Sequence, residues 1–189
     1  MGIATTLVIA AVAASTALLS ASAQSPSGQS VALEARSATR ALDAIPAVFI
    51  VAQNLDGAEI DVSADSMASG FSDLADEAAA QDQLTAALGA YGFEGYPAWA
   101  ATVRTIFATY GFIRSEGLAA PTIDRALQQV LNDPNVPQNQ KDAVVDRMGN
   151  SPADVPKTDG TAPTIENLVV VIGLVPQIES TIEMMRAMR

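Results

Sequence analysis

The sequence predicts an all-α protein, a compact antiparallel helical bundle of about six to seven helices with a Pro/Gly-rich linker before a long C-terminal helix. Three observations carry that expectation. Hydrophobic residues make up 49% of the chain, with alanine, the best helix former, prominent among them. Aromatic residues reach only 5%, so the bulky clusters that suit a pleated surface are sparse. Apolar positions recur at three and four residues in segment after segment, the spacing of one helical face.

The 189 residues are expected to begin with a leader. Leu7 to Leu19 form an unbroken apolar run of signal-peptide length, and Ala21-Ser22-Ala23 supplies the small residues that signal peptidases accept. Cleavage is expected after Ala23, with an uncleaved anchor as the alternative, although Met1 to Thr6 contains no Lys or Arg. The run is shorter than the roughly 20 residues of a membrane span, and Gln24 to Gly28 reads as an unstructured start. Residues 24–189 are then expected to form one helical domain, periplasmic or secreted, of ordinary single-core size.

Along this domain, Leu42, Ile45 and Phe49 mark a helical face that Pro46 should divide near Ala44. Asp56-Gly57 and the acidic residues Glu59, Asp61 and Asp65 read as a loop. Between Asp65 and Ala90, Phe71, Leu74, Leu84 and Leu88 suggest a two-helix hairpin ending at Gly92. Pro97 then starts the central helix, in which Trp99, Val103, Ile106 and Tyr110 lie on one stripe. Gly92-Phe93 and Gly111-Phe112 are expected to close its two ends, each with a left-handed glycine cap and a phenylalanine folded back on the last turn. Ile123, Leu127, Val130 and Leu131 predict another amphipathic helix stopped by Asn132-Asp133-Pro134, and Gln138 to Met148 a shorter, more polar one. Residues 149–163, with three prolines, two glycines and Val155 as the only large apolar side chain, should be a mobile linker. Thr164 is placed to cap the last helix, whose Ile165, Leu168, Val169, Ile172, Val175, Ile178, Ile182 and Met185 form a stripe that should lie lengthwise across the others and kink at Pro176. Its run LVVVIGLVP is short and followed by charges, so no stable membrane span is expected after leader removal.

Composition narrows the chemistry. A formal charge of -11 repels phosphate backbones, which argues against nucleic acid as a partner. The absence of cysteine excludes disulfides and thiolate metal sites, and the absence of histidine removes the commonest general base and the Ser-His-Asp triad. Asp73, Asp76 and Glu77, at i, i+3 and i+4, could face one way from a helix, as a weak metal or acid-base candidate set beside the simpler reading of a solvated face. Asp56, Glu59, Asp61 and Asp65 depart from the calcium-loop spacing. Trp99, Tyr96, Tyr110 and Tyr91 are candidate ligand-binding residues, with core packing as the competing explanation and Tyr96, in a turn before Pro97, expected to be the most exposed. Met184, Met185 and Met188 crowd the C-terminus, where flexible thioethers suit a partner helix. These residues imply an exported, non-enzymatic protein making protein contacts in the cell envelope, without a cofactor. The alternative is a carrier for a small apolar or aromatic ligand beside Trp99.

Overall fold

A computed structural model describes residues 30–54, 78–149 and 162–187. Among them the chain is entirely helical, with seven helices around one apolar core. The two pairs of helices at the start are organised by proline and glycine. Proline has no N–H to continue a helical ladder but fits a first turn. Accordingly α1 (Ala35–Asp43) gives way to α2 (Ile45–Gln53) at Ala44, with Pro46 in the first turn of α2. The small residues Ala38 and Ala41 are buried on α1 with Leu42, while α2 buries Ile45, Val48, Phe49 and Ala52. α2 packs on α3 (Ala78–Gly89), which buries Leu84 and Leu88.

Gly92, with φ at +79°, ends this region as expected. Phe93 N–H donates to the Leu88 carbonyl at 3.2 Å and Gly92 N–H to that of Gly89 at 3.0 Å, the paired bonds of a Schellman turn. Phe93 is buried in the same core as Leu88. A Cβ on Gly92 would lie 2.7 Å from Nη1 of Arg40, whereas one on Gly117, at φ +74°, would meet open space. Both glycines replaced by alanine should cost about 1–2 kcal/mol for the left-handed backbone, measured by urea unfolding. Gly92→Ala should be the costlier, because the Arg40 guanidinium must also move.

The central helix α4 (Tyr96–Glu116) buries the predicted stripe Trp99, Val103, Ile106 and Tyr110, together with Phe107 and Ile113. Its end differs from the sequence expectation. Gly111 lies inside the helix and buried, and the chain stays helical to Glu116 before Gly117 takes the left-handed cap. Burial of Ile113 and Arg114 on the next turn outweighs the weak local preference of glycine to stop a helix. Tyr96 also departs from expectation. As the first residue of α4 it is buried, its ring 5.6 Å from that of Trp99 and tilted by 43°.

α5 (Pro121–Asn132) buries Ile123, Ala126 and Val130, and stops where Asp133 Oδ1 accepts the Asn135 N–H at 2.8 Å. α6 (Gln138–Gly149) is polar, burying only Val144 and Met148 along its length. The 23-residue α7 (Ile165–Ala187) begins as predicted, with Thr164 Oγ1 accepting the Asn167 N–H at 3.3 Å, and packs on α1, α4, α5 and α6. It stays helical through Pro176. By length and composition α7 is the one helix among the described residues able to cross a membrane; here Leu168, Val171, Ile172, Val175 and Ile178 sit in the core. Leu33 N–H donates to Asn167 Oδ1 at 2.8 Å and Gln177 Nε2 to Asp43 Oδ1 at 2.9 Å, so α1 and α7 run in the same direction. Trp99 meets Ala41 and Thr105 meets Val31, so α1 and α4 run oppositely.

Candidate functional site

The four aromatic residues singled out by sequence do not line one space. Trp99 is 0 % exposed, and its indole N–H donates to the Ala41 carbonyl at 2.9 Å. That carbonyl belongs to the last turn of α1, where the ladder has run out, so the indole satisfies an orphan acceptor at the α1–α2 joint. Tyr96 packs on Trp99, and Tyr91 is half-buried against the core. Tyr110 lies 11 residues beyond Trp99 on α4, about 16 Å along the axis, and belongs to a different cluster. The carboxylates Asp73, Asp76 and Glu77, like Asp56, Glu59, Asp61 and Asp65, lie outside the described residues, as does 150–161 of the proposed linker. Among the described residues no three or more acidic side chains gather in a way that would hold a metal ion.

The cluster around Tyr110 joins α4, α6 and α7. Arg114, one turn after Tyr110, points inward with only 3 % of its side chain exposed and pairs directly with Glu179 of α7, itself 12 % exposed. Arg114 Nε also donates to the Tyr110 hydroxyl at 3.2 Å, and its Nη2 donates to the Arg147 carbonyl near the end of α6 at 3.0 Å. The Tyr110 hydroxyl donates to Glu179 Oε1 at 3.2 Å, and Arg147 Nη1 reaches Glu179 Oε2 at 3.4 Å and Glu183 at 3.6 Å. One carboxylate therefore takes two guanidinium groups and a phenol, and no side-chain nitrogen or oxygen buried among the described residues lacks a partner. Arg114 serves as a C-terminal cap for α6 while its charge is matched from α7.

Burial raises the Tyr110 hydroxyl above the ordinary tyrosine pKa, Glu179 pushes the same way, and Arg114 opposes both. Above about pH 10 the unfolded chain ionises at this residue before the folded one does, so its contribution to stability is complete below that pH and is lost as pH climbs toward the raised value. An absorbance titration at 295 nm should show a late tyrosine ionisation whose amplitude Tyr110→Phe lowers by one residue.

Beside this cluster lies a cavity of about 230 Å³ lined by Ile113, Arg114, Gly117, Leu118, Met148 and Gly149. It sits where the C-terminal ends of α4 and α6 meet, about 21 Å along α4 from Trp99. Leu118 at its edge is 39 % exposed, and Val145, one turn before Met148 on α6, is 51 % exposed. Sequence reasoning missed Arg114, Glu179 and Arg147. The available signal was Glu179 falling between Val175 and Ile182 at spacings of four and three, a charge set among the apolar positions of α7. No protein-family model matches the chain, and no curated protein or solved structure is significantly similar to it.

Proposed function

We propose that this is an exported, non-enzymatic helical protein, periplasmic or secreted, that acts by protein contacts in the cell envelope. The observation that carries this reading is Leu118, an exposed apolar side chain at the edge of the α4–α6 cavity, with Val145, one turn before Met148 of the cavity lining, exposed as well. The internal saturation of Glu179, Arg114 and Tyr110 supports a structural role for this buried charged cluster, and the lack of His and Cys removes the usual catalytic partners. The apolar run Leu7 to Leu19 followed by Ala21-Ser22-Ala23 supports export. Two measurements test the reading. Fractionation followed by N-terminal sequencing should find the protein outside the cytosol beginning at Gln24. A photo-crosslinker at Leu118 should capture a discrete protein in cells, lost on Val145→Asp and absent with the crosslinker at the exposed polar Asn139. An intact cytosolic chain, or capture independent of position, would overturn it.

A second reading is a carrier for a small apolar or aromatic ligand. Its space would be the α4–α6 cavity, which is bounded by Ile113, Leu118 and Met148 and lies away from Trp99. Native mass spectrometry of gently purified protein should then show a bound ligand that Met148→Trp excludes.

A further inference from the structure

Residues Ser30 to Leu33 precede α1 as non-helical chain, and their polar contacts converge on one buried side chain. The Asn167 amide nitrogen donates to the Val31 carbonyl at 2.9 Å and to Ser30 Oγ at 3.3 Å, while its oxygen accepts the Leu33 N–H at 2.8 Å. Pairing the carbonyl of one residue and the N–H of the second after it is what a single residue of a neighbouring parallel strand does in a ladder. A side chain here imitates that strand residue. The Val31 N–H, on the other side, donates to Thr105 Oγ1 of α4 at 3.2 Å.

The two contacts are not equivalent. Thr105 also donates to the Ala101 carbonyl of its own helix at 2.9 Å and keeps that bond whatever the segment does. Asn167 is 1 % exposed, and its three side-chain hydrogen bonds all go to Ser30, Val31 and Leu33. Lifting any one of the three leaves a buried amide short of partners, which couples them into a single event. Against this, the segment contributes only Leu33 and part of Val31 to the core, far less apolar burial than a helix does.

We infer that Ser30–Leu33 is a strap held between α4 and α7 and latched by Asn167, which opens and closes as a unit ahead of the helices. Amide hydrogen exchange on the purified protein tests this. Val31 and Leu33 should share one opening rate, faster than that of Val103 and Ile106 in α4. Asn167→Ala should speed both strap amides by about tenfold or more while leaving the α4 amides within about twofold. Asn167→Asp keeps an acceptor for the Leu33 N–H but loses both donors, so a coupled strap should release Leu33 along with Val31. The proposal is overturned if the strap amides of the parent protein exchange as slowly as Val103. It also fails if Asn167→Asp frees Val31 with Leu33 unchanged, or if Asn167→Ala accelerates α4 equally.

Discussion

Replacing Glu179 with alanine should lower stability by about 3–5 kcal/mol, seen as a fall in melting temperature of roughly 10 °C for a domain of this size. The size of the effect comes from what is left behind. Arg114 has 3 % of its side chain exposed, so without Glu179 its charge remains inside the bundle beside a phenol and a backbone carbonyl, neither of which carries the opposite charge. The exposed partners behave differently. Arg147 is 43 % and Glu183 66 % exposed, so water takes over when their contact is broken, and Glu183→Ala should cost under about 1 kcal/mol. Because the large penalty belongs to an uncompensated charge and not to the bond itself, removing both charges in Arg114→Met with Glu179→Leu should recover most of the loss. Equilibrium urea unfolding of the two single variants and the double variant decides the matter. If Glu179→Ala costs under about 1 kcal/mol, solvent entering through the adjoining cavity already shields Arg114, and the cluster holds the three helices together far less than its burial implies.

Local rules made the helices legible and left their meetings dark. Pro46 placed the α1–α2 break because a missing N–H acts within one turn, and Thr164 announced α7 because a hydroxyl caps a donor three residues away. The stripe from Trp99 to Tyr110 was readable for the same reason, since periodicity alone states which face is buried. Gly111 was misread because its propensity is local while the force holding it in α4 is burial of Ile113 and Arg114 against other elements. The Arg114–Glu179 pair spans 65 residues and Asn167 reaches back 134 to Leu33; a polar residue on an apolar stripe hints that a partner exists without naming it. The site proposed from aromatic clustering in sequence was divided for a similar reason. An 11-residue separation on one helix places Trp99 and Tyr110 in different layers of the core, however close they look in the written chain.

Trp99→Ala should be the other severe substitution, costing about 3–5 kcal/mol, because the sole tryptophan is fully buried and its removal opens a large cavity that neighbouring helices can only partly fill. Trp99→Phe separates two contributions. Phenylalanine keeps much of the ring against Tyr96 but cannot donate to the Ala41 carbonyl, so its cost, about 1–3 kcal/mol, reports chiefly on leaving that acceptor unpaired at the α1–α2 joint. In the parent protein the same geometry predicts blue-shifted indole emission that acrylamide quenches poorly. The comparison also bears on the carrier reading as first drawn around Trp99. A ligand space beside the indole would admit solvent when empty, so ready quenching together with a nearly neutral Trp99→Phe would mean that water already reaches Ala41. Poor quenching together with a measurable Trp99→Phe penalty instead makes the indole a fixed bolt between α4 and the α1–α2 joint, and directs any search for a bound ligand to the opposite end of α4.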